Sequence, residues 1–266
     1  MKKIKVHCSW DLEVNLFHER QLELWVDKFP GSQRSNGSVH IGVLIEPREI
    51  RNTMGLSSDI NSYDYALTHD QTILDNSNKA FLYEFGGCWV KDYNFSDKVF
   101  GVSTLIGGKK MTHGHNLRSQ VFSRSQEIGI PRHIWISKNF PPPEGGLGNP
   151  VLSGTKSEMF NTQFHICIEN VKRTNWFTEK LLDCLYTRTV PIYYGCPNIG
   201  NWFDTRGFIT VDNTNEIIEV CNRLTPEMYQ EMLPYIEDNH NRSKLYSNVG
   251  INIKRSIESN IIPLIG

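Results

Sequence analysis

The stretch Phe164–Asn170, with the sequence FHICIEN, decides how this chain folds. Its apolar residues are followed directly by a glutamate and an asparagine, a pattern that indicates a buried strand ending at a polar loop. The loop leads to Thr178, which can cap a helix with an apolar face. A second apolar run, Val190–Tyr194, ends at Gly195, where a turn can bring backbone close to a ligand. The whole segment predicts a strand, a helix and a second, parallel strand.

This strand–helix–strand unit predicts a site for a phosphate-bearing ligand. In open α/β sheets, ligands bind beyond the carboxyl ends of the strands, where Glu169 and Asn170 must lie. The free N–H groups at the start of the following helix attract an anion, and Lys180 adds a full positive charge to its first turn. Glu179 can accept hydrogen bonds from ribose or sugar hydroxyls. The unit therefore suits a nucleoside diphosphate.

Composition places the chain among globular proteins and excludes some partners. Of the 266 residues, 39% are hydrophobic and 21% are charged, which favours a packed fold over disorder. The 28 basic and 29 acidic residues leave a net charge of −1, so no overall field attracts nucleic acid or an anionic membrane. Any site for phosphate has to be local.

The cysteines and the N-terminal sequence favour a cytoplasmic location. The six cysteines have no regular spacing and several lie in apolar runs, which is typical of reduced core thiols. The first residues lack the apolar stretch of a signal peptide, and no run is long enough for a membrane span. We therefore expect a soluble, cytoplasmic protein.

The pattern along the chain predicts an α/β fold in two domains, 1–97 and 98–266. Turn-rich or helix-like stretches such as His18–Phe29 separate four short strands in the first domain. These are Ile4–His7, Val39–Ile45, Tyr63–Leu67 and Ala80–Phe85. The second domain alternates strands and helices and ends in a helical segment that begins near Glu216. Its predicted elements are strands Val99–Ile106, His133–Ser137, Phe164–Ile168, Val190–Tyr194 and Phe208–Val211, helices Asn116–Ile128 and Thr178–Tyr186, and a Pro- and Gly-rich loop over 141–148.

The segment on which the fold depends also resembles a known family. Family 10 glycosyltransferases, the α1,3/α1,4-fucosyltransferases, combine a Glu-Asn strand end, an aromatic residue with Thr-Glu-Lys, and a Val-Pro strand that ends in glycine. Here these motifs stand as Ile168–Asn170, Trp176–Lys180 and Val190–Gly195, and their order and spacing agree over about thirty residues. The resemblance extends more weakly over Val99–Val211 and is faint before it, so it concerns the second domain.

The resemblance implies a GT-B fold of two facing Rossmann-like domains and inverting transfer of fucose from GDP-fucose to a glycan hydroxyl. It also implies that Asn170, Glu179 and Lys180 contact the ribose and phosphates of the donor. The family places an arginine from the first helix of the donor domain on the diphosphate. Arg118 is the best match for that arginine, and Lys109 is the alternative.

Two positions depart from the family pattern. Trp176 stands where the family usually has a tyrosine, and an indole can stack on a donor but cannot present a phenolic hydroxyl to phosphate. The donor or its affinity can therefore differ from the family's. The family's catalytic base is a glutamate in a Gly-Glu-Asn setting near the end of a strand in the N-terminal domain. The candidate here is Glu46, in Ile45–Pro47.

The implied reaction is a single displacement with Glu46 as the base. An acceptor hydroxyl would attack the anomeric carbon while the carboxylate takes its proton. Arg118, Lys180 and the helix start would stabilise charge on the leaving diphosphate. No Asp-x-Asp motif for a bridging metal is present, so we expect no metal or other cofactor to be required.

Several alternatives remain open from the sequence alone. The same fold can use another nucleotide sugar, or the chain can be a binding protein that lost catalysis. Individual residues also have structural interpretations: Asn170 can form a strand-end turn, Trp176 can be ordinary packing, and Glu46 can cap a turn.

Overall fold

The computed structural model of the protein describes residues 1–53, 55, 60–90, 93, 98–139, 141–142, 150–152 and 156–266. The chain forms two compact units. Unit 1 contains Met1–Gly86, Thr174–Trp176 and Asn248–Gly266. Unit 2 contains Gly87–Arg173 and Phe177–Ser247. The predicted loop over 141–148 lies, from residue 143 onward, outside the described residues.

The strands are short and nearly all parallel. Their bounds are β1 Lys2–Lys3, β2 Lys5–His7, β3 Phe17–His18, β4 Leu22–Val26, β5 Val39–Leu44, β6 Tyr65–Thr68, β7 Ala80–Leu82, β8 Val99–Ile106, β9 Arg132–Ser137, β10 Val151–Leu152, β11 Thr162–Ile168, β12 Val190–Tyr194 and β13 Ile209–Thr210. The helices are α1 Arg48–Thr53, α2 Gln71–Asn76, α3 His113–Ser123, α4 Glu179–Tyr186, α5 Thr214–Arg223, α6 Pro226–Ser243, α7 Val249–Asn260 and α8 Ile262–Ile265.

Unit 1 has a parallel five-stranded sheet in the order β2-β4-β5-β6-β7, and β1 pairs antiparallel with β3 beside it. Every residue of β4 and β5 is buried, as is typical of central strands covered on both faces. The carboxyl ends of β4, β5 and β6 therefore meet at one edge, which is where open α/β sheets bind ligands.

The last two helices, α7 and α8, belong to unit 1, although the sequence pattern assigns them to the second domain. Ile253, Ile257, Ile261 and Ile265 recur every four residues and form one apolar stripe on α7 and α8. The stripe packs in the same core as Leu24 and Ile41 of β4 and β5. The observed units thus differ from the predicted ranges 1–97 and 98–266, because a hydrophobic stripe joins whichever core can bury it.

Unit 2 has a parallel six-stranded sheet in the order β10-β9-β8-β11-β12-β13. The motif segment forms its centre: β11 is buried along its whole length and pairs with β12 from Phe164 with Val190 to Ile168 with Tyr194. The described part of this unit therefore has the predicted strand–helix–strand arrangement, with α4 between β11 and β12 in the chain.

Two predicted elements need correction. The stretch His18–Phe29 is not helical, because Leu22–Val26 forms the fully buried strand β4, in which apolar residues occupy both faces and hide the alternation of a strand. Helix α3 begins at His113 and not at Asn116, because the hydroxyl of Thr112 accepts the backbone N–H of His115 and caps the helix there. It also ends at Ser123, and a short 3₁₀ turn covers Ser125–Glu127.

Candidate active site

In unit 2, two helix starts flank the loop that follows β11. The backbone N–H of Gly114, in the first turn of α3, donates to the carbonyl of Asn170 at 2.9 Å. A side chain at Gly114 would place its Cβ 1.8 Å from the carbonyl oxygen of Glu169, so only glycine permits this approach. Helix α4 begins on the other side, with the hydroxyl of Thr178 accepting the N–H of Lys180. The starts of both helices thus lie near the strand end, and contacts within the protein already use several of their N–H groups.

Glu169 fixes this strand end and is fully buried. One carboxylate oxygen accepts the N–H of Thr178 and the other its hydroxyl, both at 2.7 Å. Burial raises the pKa of Glu169 despite the nearby charge of Lys180. Glu169 therefore acts as a structural clamp between β11 and α4, and it presents no accessible surface to a ligand.

The candidate residues Glu179 and Lys180 form an ion pair on the first turn of α4. Lys180 Nζ lies 3.1 Å from Glu179 Oε1 and 3.8 Å from a carboxylate oxygen of Glu169. Burial favours neutral Glu179, but the charges of Lys180 and Lys156 outweigh it and lower the pKa of Glu179 to about 2. Lys156, which sequence reasoning missed, lies 3.9 Å from Glu179 and 3.4 Å from Asp183. The carboxylate of Glu179 is therefore ionised and held between two ammonium groups.

Arg118 and Asn170 meet at the same strand end. The guanidinium of Arg118 donates to the carbonyl of Ile168 at 2.9 and 3.2 Å and to Oδ1 of Asn170 at 2.6 Å. A planar guanidinium so fixed presents its remaining N–H groups in a set direction, as recognition of phosphate requires. Lys109, the alternative to Arg118, is exposed in the loop after β8.

The positive charges of this site converge on His115. Burial, and then the charges of Arg118, Lys109 and Lys180, lower the pKa of this imidazole to about 4. All three lysine and arginine candidates therefore lie within electrostatic range of one buried ring. Two helix starts and the cations Arg118 and Lys180 at one strand end form a site that can hold a diphosphate.

Trp176 belongs to unit 1. The residue is 2% exposed, and its indole N–H donates to the carbonyl of Ile45 at 3.0 Å. Its ring also lies against His69, with centroids 6.0 Å apart. Trp176 thus packs beside the strand end that carries Glu46.

In unit 1, Glu46 directly follows the carboxyl end of β5 and is partly exposed. Its backbone N–H donates to both carboxylate oxygens of Asp27, at 3.1 and 3.3 Å. Asp27 also accepts the N–H of Ile45 at 3.0 Å, and its φ of 45° is unusual for a residue with a side chain. Asp27 therefore clamps the backbone that carries the candidate base.

A buried cation accompanies these carboxylates. The guanidinium of Arg51 in α1 is 1% exposed and lies 3.8 Å from Asp70. Its three nitrogens have no hydrogen-bond partner within the described part of the chain. The charges of Asp27 and Asp70 stabilise this cation against its burial. Asp27 and Asp70 thus act on one positive charge near the carboxyl ends of β4 and β6, and Glu46 adjoins Asp27.

This carboxylate cluster predicts a pH dependence of stability. Burial and the charge of Glu46 raise the pKa of Asp27 to about 7, from an ordinary value of 3.8. Between these two values the folded protein keeps a proton that the unfolded chain has released, so Asp27 destabilises the fold increasingly as the pH rises. Between pH 4.5 and pH 8, we expect the melting temperature of the parent to fall by several degrees more than that of Asp27→Asn.

Thermal melts of both proteins across this pH range measure the effect. Replacing Asp11, an exposed aspartate of the same unit, by asparagine controls for the loss of one negative charge. Equal pH slopes for the parent and Asp27→Asn would show that Asp27 holds no proton in the folded state.

Sequence reasoning missed Asp27, Arg51, Asp70 and Lys156. Asp70 carries a usable signal, because it follows β6 and its carboxylate caps α2 through the N–H of Thr72. Asp27 lies in a stretch misread as helix-like, which hid its position at a strand end. Lys156 has no local motif and reaches α4 only through the fold.

Comparison with solved structures identifies the fold. An α1,3-fucosyltransferase superposes with a TM-score of 0.58, covering 98% of this chain and 89% of that one, at 14% identity. Its form with GDP-fucose gives 0.54, covering 80% of this chain and 68% of that one, at 15% identity. At such identities the likeness concerns the fold. The fold is that of the GT-B glycosyltransferases, as predicted.

Sequence comparison identifies the family of the motif segment. Residues 150–242 match the model of glycosyltransferase family 10 (fucosyltransferase), C-terminal part. The resemblance predicted from the motifs around Glu169 and Lys180 is thereby confirmed, and it covers about a third of the chain.

Two curated proteins show local similarity to the chain. An alpha-(1,3)-fucosyltransferase, FucT, from Helicobacter pylori is 30% identical over 60 residues, which cover 23% of this chain and 13% of that protein. GDP-fucose protein O-fucosyltransferase 3 from Danio rerio is 34% identical over 84 residues, which cover 30% of this chain and 18% of that protein. The match thus spans less than a fifth of each relative. Within the described residues, no helix has the length and apolarity needed to cross a bilayer.

Proposed function

We propose that the protein is an inverting glycosyltransferase that moves fucose from GDP-fucose to a hydroxyl of a glycan. The observation that carries the proposal is that two cations lie at the carboxyl end of β11: the guanidinium of Arg118, bonded to Ile168 and Asn170, and the ammonium of Lys180, 3.8 Å from Glu169. The family match of residues 150–242 and the fold likeness to an α1,3-fucosyltransferase bound to GDP-fucose support this choice of donor.

The proposed donor contacts follow from the geometry of unit 2. Lys180 and the N–H groups at the start of α4 would bind the diphosphate, together with the N–H groups of Arg118 that Ile168 and Asn170 leave available. Glu179, ionised between Lys156 and Lys180, would accept hydrogen bonds from ribose or sugar hydroxyls. Trp176 is also a predicted donor contact. Its indole N–H is bonded to the carbonyl of Ile45, so this N–H is not available to a donor.

The proposed chemistry is a single displacement at the anomeric carbon. Glu46 would accept the proton of the acceptor hydroxyl as the new glycosidic oxygen–carbon bond forms and the bond to the diphosphate breaks. The negative charge that the leaving GDP gains would be stabilised by Arg118, Lys180 and the α4 start. These groups are preorganised by protein contacts and supply the positive charge that a divalent cation supplies elsewhere, so we propose metal-independent turnover.

A screen of nucleotides tests the donor assignment. Because a ligand that binds only the folded state stabilises it by mass action, GDP and GDP-fucose at about 100 times their dissociation constants should raise the melting temperature by about several degrees. UDP and dTDP sugars should have little effect. Stabilisation by UDP but not by GDP would reject the fucosyl assignment and favour the second candidate, a transferase of the same fold with another donor. Loss of turnover in EDTA would reject metal independence.

A binding protein without catalysis is the remaining alternative. Measuring both binding and turnover of GDP-fucose distinguishes this alternative. A binding protein would bind this donor but neither transfer nor hydrolyse its sugar. We also propose that the protein works in the cytoplasm, on the support of its six free cysteines, which suit a reducing compartment.

A further inference from the structure

Unit 1 contains a cavity of 540 Å³ that the donor site does not use. It is lined mainly by His7 and Cys8 at the end of β2, and by Trp25, Lys28 and Phe29 at and after the end of β4. His7 and Trp25 are directly paired residues of the two strands. The cavity therefore lies at the carboxyl edge of the sheet, and its volume is typical of small-ligand sites, which hold about 300–1,000 Å³.

One wall of the cavity is a rigid aromatic surface. The rings of His7 and Trp25 stack with centroids 3.7 Å apart and an interplanar angle of 5°. Trp25 is 1% exposed and donates its indole N–H to His40, while His7 is held by Glu23 at 3.0 Å. Because Trp25 covers one face of the imidazole, the accessible part of His7 is its other face and its edge. A flat ring face with negative charge density attracts the C–H groups of a sugar ring.

The cavity also contains a cation, Lys28, that has no acidic partner among the residues that the structure describes. Lys28 is half-buried, and its Nζ donates to the carbonyl of Cys8 at 2.9 Å. Across the described ranges of the chain, no carboxylate lies within ion-pair distance of this ammonium group. By contrast, Lys5 in the same unit pairs with Glu23. An ammonium group has three donors, so Lys28 retains capacity for an anionic ligand group.

The cavity adjoins the candidate base. Lys28 directly follows Asp27, whose carboxylate holds the backbone N–H of Glu46. Cys8, on the cavity wall, lies within electrostatic range of both Lys28 and Asp27, although burial dominates and raises the pKa of its thiol. A ligand in the cavity would therefore lie close to the carboxylate cluster of unit 1.

We propose that this cavity binds a sugar residue of the acceptor that carries an acidic substituent, with its ring on His7 and its acidic group paired with Lys28. The proposal rests on the proposed transferase function, because it assigns the acceptor side of that reaction. It specifies the substrate class as acidic glycans, which bear a carboxylate or a sulfate.

Binding of three small probes tests the proposal. We expect methyl β-D-glucuronide or methyl β-D-glucoside 6-sulfate to bind the parent about five- to tenfold more tightly than neutral methyl β-D-glucoside, measured by saturation-transfer NMR titration. Whichever acidic probe binds more tightly identifies the acid. Lys28→Gln should remove the preference and leave the neutral probe unchanged, whereas His7→Ala should weaken all three probes.

The matched control is Lys2→Gln, which removes an exposed lysine of the same unit. Equal binding of acidic and neutral probes to the parent, absence of any binding, or a preference that survives in Lys28→Gln would overturn the proposal. GDP binding is measured on the same samples. If GDP fails to bind while the acidic preference holds, the donor assignment fails and the cavity assignment stands.

Discussion

Replacing Glu46 by glutamine will lower the rate of sugar transfer by about 100- to 10,000-fold, the usual contribution of a general base. The amide keeps the shape of the side chain but cannot take a proton from the acceptor hydroxyl. The backbone N–H of Glu46 still donates to Asp27 in this variant, so the strand end is preserved. GDP affinity should be unchanged, because the proposed diphosphate ligands Arg118 and Lys180 lie in unit 2 and Glu46 is not among the proposed donor contacts. GDP release from GDP-fucose with a panel of oligosaccharide acceptors gives the rate, and calorimetry gives the affinity.

Glu49→Gln serves as the matched control, since Glu49 is exposed three residues further along and lies in the first turn of α1. It should retain the full rate of transfer. A Glu46→Gln enzyme as active as the parent would remove Glu46 from the mechanism, and the carboxylate of Asp70 would be the next residue to replace.

Replacing Lys180 by methionine will weaken GDP binding by about ten- to a hundredfold, the effect of losing one charge-assisted hydrogen bond to phosphate. The variant also removes one of the two ammonium groups that flank Glu179, so the ionised carboxylate of Glu179 is less well neutralised beside the diphosphate. Both effects act in the same direction. Calorimetric titration with GDP measures the loss, and a reduced dependence of affinity on salt should accompany it.

Lys172→Met controls for the loss of a lysine in unit 2, because Lys172 is exposed and pairs with Asp212. Its GDP affinity should match the parent's. Thermal melts establish that both variants fold. Unchanged GDP affinity in a folded Lys180→Met protein would place the diphosphate elsewhere and would contradict the proposed site.

Local signals were sufficient to predict the central strand–helix–strand segment of unit 2, but they predicted the sheet of unit 1 only in part. The segment Phe164–Gly195 carries its strand, cap, helix and turn within about thirty residues, so nearest-neighbour patterns determine its structure. In unit 1, β4 is apolar on both faces and resembles a buried helix. The isoleucine stripe of α7 predicts a buried face, but no local pattern says which distant core buries it.

In the candidate site, too, local motifs predicted the placement of some residues but not of others. Arg118, Asn170, Glu179 and Lys180 come together as their motifs predicted, and their roles at a donor stay predictions. Trp176 follows the same motif but packs on Ile45, because a large indole finds more buried surface there. The clamp from Asp27 to Glu46 joins residues nineteen positions apart through adjacent strands, which a linear pattern cannot show.

The way in which unit 1 is assembled from three separate segments of chain limits how this protein can be divided. A fragment ending near residue 97 would expose the apolar surface of β4 and β5 that Ile253 and Ile257 cover. If two related genes were recombined at a single crossover to exchange acceptor specificity, the sheet of unit 1 would come from one parent. Helices α7 and α8, which cover that sheet, would come from the other parent. A hybrid that keeps its stability must take Met1–Gly86, Thr174–Trp176 and Asn248–Gly266 from the same parent.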